Sequence, residues 1–303
     1  MLRIALPFFI ALVASAQAPA GDYLGSEVCR TCHSDVWFNF YKNPHYKSIA
    51  AGNVPPESTG CEGCHGPGKA HVAAGGGKAT IPRAFSLMPA RKILDTCLTC
   101  HAKDFPRSNI LRSSHTLGDV VCANCHSIHK AGTPKFLLAR KQADLCYSCH
   151  ANIRAQFEMP VKHRVNEGVM QCSDCHNPHG AFAPTWRSGL RPRMVEQHGN
   201  EEACVRCHSD KRGPFVFEHA PVRIEGCETC HMPHGSTNTR LLRRPVVFTV
   251  CLECHNGAGN FGRNGIGEPT QTGTHNMFDP KYRNCTTCHV AVHGSNRDPQ
   301  LLK

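Results

Sequence analysis

The chain has 303 residues, of which 20 are cysteine and 21 histidine, with aromatics at 7% and a formal net charge of +11. So few aromatics, and no long apolar faces, exclude a conventional hydrophobic core as the main source of buried surface. Past the N-terminal segment nothing approaches the run of about 18 apolar residues that a membrane-spanning helix needs, so the mature chain is not expected to cross a bilayer unaided.

Met1 to Ala16 reads as a secretory signal. Arg3 supplies the charged start, Ile4 to Val13 the apolar stretch, and Ala14-Ser15-Ala16 the small-residue cleavage site. The mature chain is expected to begin near Gln17, and with no cysteine directly after the cleavage site a lipid anchor is not indicated.

The remainder, 17–303, falls into five units of one layout, approximately 22–80, 81–134, 135–185, 186–238 and 239–303. Each unit reads C-x-x-C-H, an intermediate histidine, a second C-x-x-C-H and a trailing histidine. In the first these are Cys29, Cys32 and His33, then His45, then Cys61, Cys64 and His65, then His71. The second has Cys97, Cys100 and His101, His115, Cys122, Cys125 and His126, and His129. The third has Cys146, Cys149 and His150, His163, Cys172, Cys175 and His176, and His179. The fourth has Cys204, Cys207 and His208, His219, Cys227, Cys230 and His231, and His234. The fifth has Cys251, Cys254 and His255, His275, Cys285, Cys288 and His289, and His293. Units are offset by 68, 49, 58 and 47 residues, and the trailing histidine follows its motif by three residues in the central units but by six and four in the end ones. Atypical terminal repeats are usual in tandem arrays. Short helices are expected near the first motif of each unit, as over Phe136–Leu145, with Pro and Gly enforcing loops elsewhere and little sheet.

No cysteine lies outside a motif, whereas a shuffled chain of this composition would contain about 0.1 such pentapeptides. C-x-x-C-H is the attachment site of haem c: two thiols one helical turn apart bond the porphyrin, and the adjacent histidine takes the iron. Ten motifs predict ten covalent haems. Zinc or disulfide use of the pairs would leave the adjacent histidine unexplained. The expected fold is a multihaem cytochrome c, with short helices and loops wrapped around a chain of haems and tandem dihaem repeats that make it elongated. Ten ionised ferric haems at about one negative charge each nearly cancel the +10 left without Arg3, so the basic residues read as internal counter-charges rather than a nucleic-acid surface.

Ten motif histidines leave eleven others for the opposite faces of ten irons. A histidine three residues after a motif histidine has a tether of about 10 Å, too short to round the porphyrin edge to its own iron, so it caps another haem or none. Recurrence at matched places in all five units makes the ten intermediate and trailing histidines the expected distal ligands. His198, which has no counterpart in the other units, is expected at the surface, and the methionines are expected to pack. Iron with two imidazoles offers no open position, which points to outer-sphere electron transfer and away from an enzyme.

The segments Gly60–Gly68 with His71, Cys172–Gly180, and Lys211–His219 leading into Cys227–Gly235 resemble the MtrA/DmsE-type decahaem cytochromes, the periplasmic members of outer-membrane porin–cytochrome conduits. The resemblance covers essentially the whole mature chain. It implies a rod of ten bis-histidine haems, in some members sheathed by an outer-membrane β-barrel porin. Electrons would pass between a periplasmic or inner-membrane carrier and an extracellular cytochrome or reductase. A soluble periplasmic shuttle shares every motif, and a multihaem oxyanion reductase would need an iron without a distal ligand.

Overall fold

The computed structural model describes residues 20–103, 109–133, 135–180, 203–255 and 279–303. The signal segment 1–16, His198 and His275 lie outside the described residues. Each C-x-x-C-H forms one turn of helix. In eight motifs the histidine N–H donates to the carbonyl of the first cysteine at 2.8 to 3.0 Å, as in His33 to Cys29 and His231 to Cys227. The other two turns close the helices Gly60–His65 and Ala90–His101. One turn places thiols at i and i+3 on the same face, with the imidazole beside them. In the motifs Cys122–His126 and Cys172–His176 an internal side chain caps its own turn: Asn124 Oδ1 accepts from Val121 N at 2.7 Å and Asp174 Oδ2 from Gln171 N at 2.8 Å.

Ala90–His101 is the longest helix among the described residues, and the sheet there is one antiparallel pair, Val161–Lys162 against Gly235–Ser236. Phe136–Leu145, expected as a helix, is helical only from Gln142, because Phe136 and Leu137 adopt left-handed backbone with φ of 60° and 54°. That conformation turns the Phe136 carbonyl to His126 Nδ1 at 2.7 Å and the Leu137 carbonyl to Ser127 N at 2.8 Å. Two long-range hydrogen bonds outweigh a local helical preference worth tenths of a kcal/mol per residue.

The chain divides into two compact units, the first comprising Met1–Cys100 with Val121–Ala139. Its buried apolar residues include Trp37 and Phe40, each meeting the Tyr46 ring edge-on, together with Ile93, Leu94 and Val121. Glu62, inside the second motif, is 2% exposed. Its carboxylate accepts from the backbone N–H groups of Leu24 at 3.0 Å, Gly25 at 2.7 Å and Gly68 at 2.7 Å. It thereby ties the chain before the first motif to the loop after the second. Arg83 closes the other end of that helix, donating to the carbonyls of Glu62, Gly63 and Cys64. Glu62→Ala removes the acceptor of three backbone donors, one of them buried, and we expect a loss of about 2 to 3 kcal/mol, seen as a lowered thermal midpoint of the haem-loaded protein. A midpoint within a degree or so of wild type would contradict that role.

The second compact unit comprises His101–Val120 with Arg140–Lys303. Among its described residues the buried apolar ones are Ile110, Phe157, Val165, Ala203 and Val205. Buried Ser236 donates to Leu242 O at 2.7 Å, and buried Ser295 accepts from Arg297 N and Asp298 N at 3.1 Å while donating to Lys303 O. Each of these serines closes the loop that follows a trailing histidine, His234 or His293. Gly235, directly after His234, is required by close approach, since a Cβ there would collide with the Gln156 carbonyl.

Candidate metal centres

Histidines far apart in sequence meet as ring pairs. His33 faces His71 at 6.2 Å between centroids and His65 faces His129 at 5.8 Å, both within the first compact unit. Within the second, the pairs are His115–His150 at 6.1 Å, His163–His208 at 6.3 Å, His176–His234 at 6.0 Å, His219–His255 at 6.2 Å and His231–His293 at 6.3 Å. Every pair joins one motif histidine to one intermediate or trailing histidine. Two metal–nitrogen bonds of about 2.0 Å plus the reach from each nitrogen to its ring centre put the centroids of two imidazoles on one ion about 6.2 Å apart. The observed separations are those of imidazoles facing each other across a single metal.

No group of three or more His, Cys, Asp or Glu able to hold an ion occurs among the described residues. Two donors per site are too few for structural zinc, and they match an iron whose remaining four nitrogens come from a macrocycle. Large apolar residues stand exposed beside the motifs and ring pairs, among them Val28, Leu117, Phe136, Ile224, Met232 and Val290. They offer the apolar surface that a porphyrin covers. Donor set and surroundings both fit haem c.

The imidazoles are held for ligation through their other nitrogen. Nδ1 of His65 meets Arg83 O at 3.1 Å, His71 meets Thr80 Oγ1 at 2.9 Å, and His115 meets Pro178 O at 2.9 Å. His163 meets Pro233 O at 2.6 Å, His231 meets Arg240 O at 2.8 Å, and His234 meets Gln156 Oε1 at 3.0 Å. An Nδ1 so engaged leaves Nε2 to the metal and fixes the ring plane. Burial holds the imidazoles of His65, His129, His234, His255 and His293 below the usual histidine range, which keeps them neutral, as ligation requires.

The thiols also meet in pairs. The first cysteines of the two motifs in one unit contact each other in Cys29–Cys61, Cys97–Cys122, Cys146–Cys172 and Cys251–Cys285. With the thiols free, the hydrogen bond from Cys29 holds Cys61 down at about 7, and that from Cys146 does the same for Cys172. Burial, followed by the neighbouring thiol of Cys285, pushes Cys251 up to about 12.

His45, His101, His126, His179 and His289 are the other expected ligands within the described residues, and all make further contacts. His45 Nδ1 meets Asn43 Oδ1 at 2.9 Å, and His289 Nδ1 meets Gln300 O at 2.6 Å. Sequence reasoning missed the acceptors. Three of them sit at recurrent Leu-Leu segments nine to eleven residues after a second-motif histidine: Phe136-Leu137-Leu138, Arg240-Leu241-Leu242 and Gln300-Leu301-Leu302. In each, one or two residues take left-handed backbone, namely Phe136 and Leu137, Arg240 and Leu241, and Leu301. The repeated Leu-Leu is the signal that could have exposed them.

The family profile described as "Doubled CXXCH motif" matches residues 115–155, 163–213 and 219–260, and that of "Cytochrome c554 and c-prime" matches residues 70–127. The chain is 35% identical over 282 residues to the multiheme cytochrome MtrA of Shewanella baltica, covering 90% of this chain and 79% of the relative. It is 25% identical over 144 residues to the cytochrome c-type protein NrfB of Escherichia coli O6:H1, covering 42% of this chain and 72% of that one.

Proposed function

The chain belongs to the family of the multiheme cytochrome MtrA, and from that premise we propose that it carries ten haems, each capped by two imidazoles, and conducts electrons along them across the outer membrane within a porin–cytochrome complex. It is a multihaem c-type cytochrome and an electron carrier, not a catalyst. The observation that carries the reading is the set of seven motif-to-distal ring pairs at 5.8 to 6.3 Å. The proposed attachment residues are the twenty motif cysteines, the proximal ligands the ten motif histidines, and the distal ligands the ten intermediate and trailing ones, His275 included.

When bound, each haem supplies an iron that takes up and gives back one electron. Holding both imidazoles in place, the chain leaves no position for a substrate and little to reorganise when the electron arrives. The first cysteines of paired motifs lie in contact, and haems attached there would be held close to each other within a unit, favouring electron exchange between them. His231 and His234, three residues apart, face His293 and His176 respectively, so one short loop fixes the spacing of two successive sites. Lys and Arg along the chain soften the negative charge that accumulates on reduction.

On this reading residues 1–16 are removed on secretion to the periplasm, and five dihaem units form the conductor. An integral outer-membrane β-barrel is the proposed sheath, with a periplasmic or inner-membrane redox carrier on one side and an extracellular cytochrome or reductase on the other. Detergent extraction of the native host's outer membrane should co-purify the chain with a barrel, and liposomes bearing that complex should reduce an acceptor trapped inside when a reductant is added outside. A monodisperse chain in the soluble periplasmic fraction with no barrel would instead make it a shuttle.

The ring planes make a spectroscopic prediction. In four pairs, His33–His71, His65–His129, His219–His255 and His231–His293, the planes lie 11° to 18° apart. In His115–His150, His163–His208 and His176–His234 they lie 48° to 63° apart. Parallel and crossed imidazoles split the iron orbitals differently, so low-temperature spin resonance of the oxidised protein should show two classes of low-spin signal. A single class would contradict the geometry.

A further inference from the structure

Six of the seven ring pairs contain an imidazole anchored at Nδ1, and the pair His219–His255 does not. His219 Nδ1 is buried and has no hydrogen-bond partner among the described residues. The repeat explains the gap. The intermediate histidines His115 and His163 are anchored by the carbonyls of Pro178 and Pro233, in each case the residue before the trailing histidine of the next unit. In the first compact unit Asn43 links His45 Nδ1 to the carbonyl of Ile128, the residue before His129. By the same register the anchor of His219 would be the carbonyl before His293. The last unit places three residues, Val290, Ala291 and Val292, between motif and trailing histidine, where the central units place two. The additional residue moves that carbonyl out of register.

Resting on the two-imidazole reading above, we infer that the haem held between His255 and His219 has the highest reduction potential of the seven and takes its electron before the other six. An acceptor at Nδ1 draws the N–H proton, makes the imidazole a stronger donor and favours ferric iron. Without it the imidazole stays a weaker donor and the ferrous state gains. The sites compared share the same two ligands, and this second-shell difference separates them. The step is the uptake of one electron by ferric iron from a one-electron reductant, with no bond broken and no proton moved. His219 is a ligand whose missing anchor places the His255 site first in the order of filling among these seven.

The test is a spin-resonance-monitored reductive titration of the full-length haem-loaded protein. In His219→Ala one signal of the near-parallel class should vanish and a high-spin signal appear, and in wild type that vanished signal should be the first of its class lost on reduction. Replacing Val290–Val292 by the Met-Pro that separates His231 from His234 restores the register and should move the same signal to lower potential. Where either variant fails to take up its haems, Gln156→Leu decides: it removes the acceptor of His234, and one signal of the crossed class should move to higher potential. The inference is overturned if the His219-dependent signal titrates after the others, or if neither the register variant nor Gln156→Leu shifts a midpoint. Wild-type protein with no low-spin signals at all would overturn the two-imidazole reading along with it.

Discussion

Produced where haem cannot be attached, the chain should fail to fold: far-UV circular dichroism close to that of a disordered chain, no cooperative thermal transition, and amide exchange at nearly unprotected rates. The buried apolar residues among those described number ten, several of them small, and only Leu94 and Ser236 fall below 2% exposure. Fixing a backbone costs about 1 to 2 kcal/mol per residue, which so thin a core does not offset. Two neutral imidazoles facing each other at about 6 Å have little reason to stay so without a metal between them. The exposed apolar residues beside the motifs add the same demand, since without porphyrin to cover them they face water. A haem-free chain that unfolded cooperatively with protected amides would show that the polypeptide carries its own fold.

Loss of one trailing histidine should have the next largest effect, and His234→Ala is the sharpest case. His234 stands three residues after His231, faces His176 in the preceding unit, and accepts order from Gln156. Its loop pairs in sheet with Val161–Lys162. On the proposed reading, removing the imidazole would take a ligand from the iron at His176 and the clamp from the joint between two dihaem units. The oxidised protein should then gain one high-spin haem, the reduced protein should bind about one carbon monoxide where wild type binds none, and stability should fall by about 4 kcal/mol. Electron transfer from one end of the chain to the other should slow, because the altered iron no longer matches its neighbours in potential. Unchanged spectra and no carbon monoxide binding would mean that His234 is not a ligand.

Both members of each ring pair were legible in the sequence because the motif is local and the second histidine recurs at a matched place in every unit. Which ring faces which was not legible. His71 faces the first motif of its own unit, whereas His129 and His234 face the second motif of the unit before. That choice depends on how loops return in space, and a residue count does not encode it. The Nδ1 acceptors were invisible for a different reason: most are backbone carbonyls, which leave no side-chain signature, and Phe136 and Leu137 reach left-handed backbone against their own preference. The same override explains why helix was expected from Phe136 and begins at Gln142. Glu62 looked like one acidic residue inside a motif until three distant N–H groups converged on it. Gly235 was visible as part of a His-Gly pair, but the Gln156 carbonyl that makes glycine necessary lies 79 residues away in sequence.

The intact mass of the secreted protein, purified from a host able to mature c-type cytochromes, tests the central claim most directly. Polypeptide beginning near Gln17 and carrying ten haems is the expected species. A mass equal to the bare polypeptide, or to one with its cysteines joined in disulfides, would contradict it.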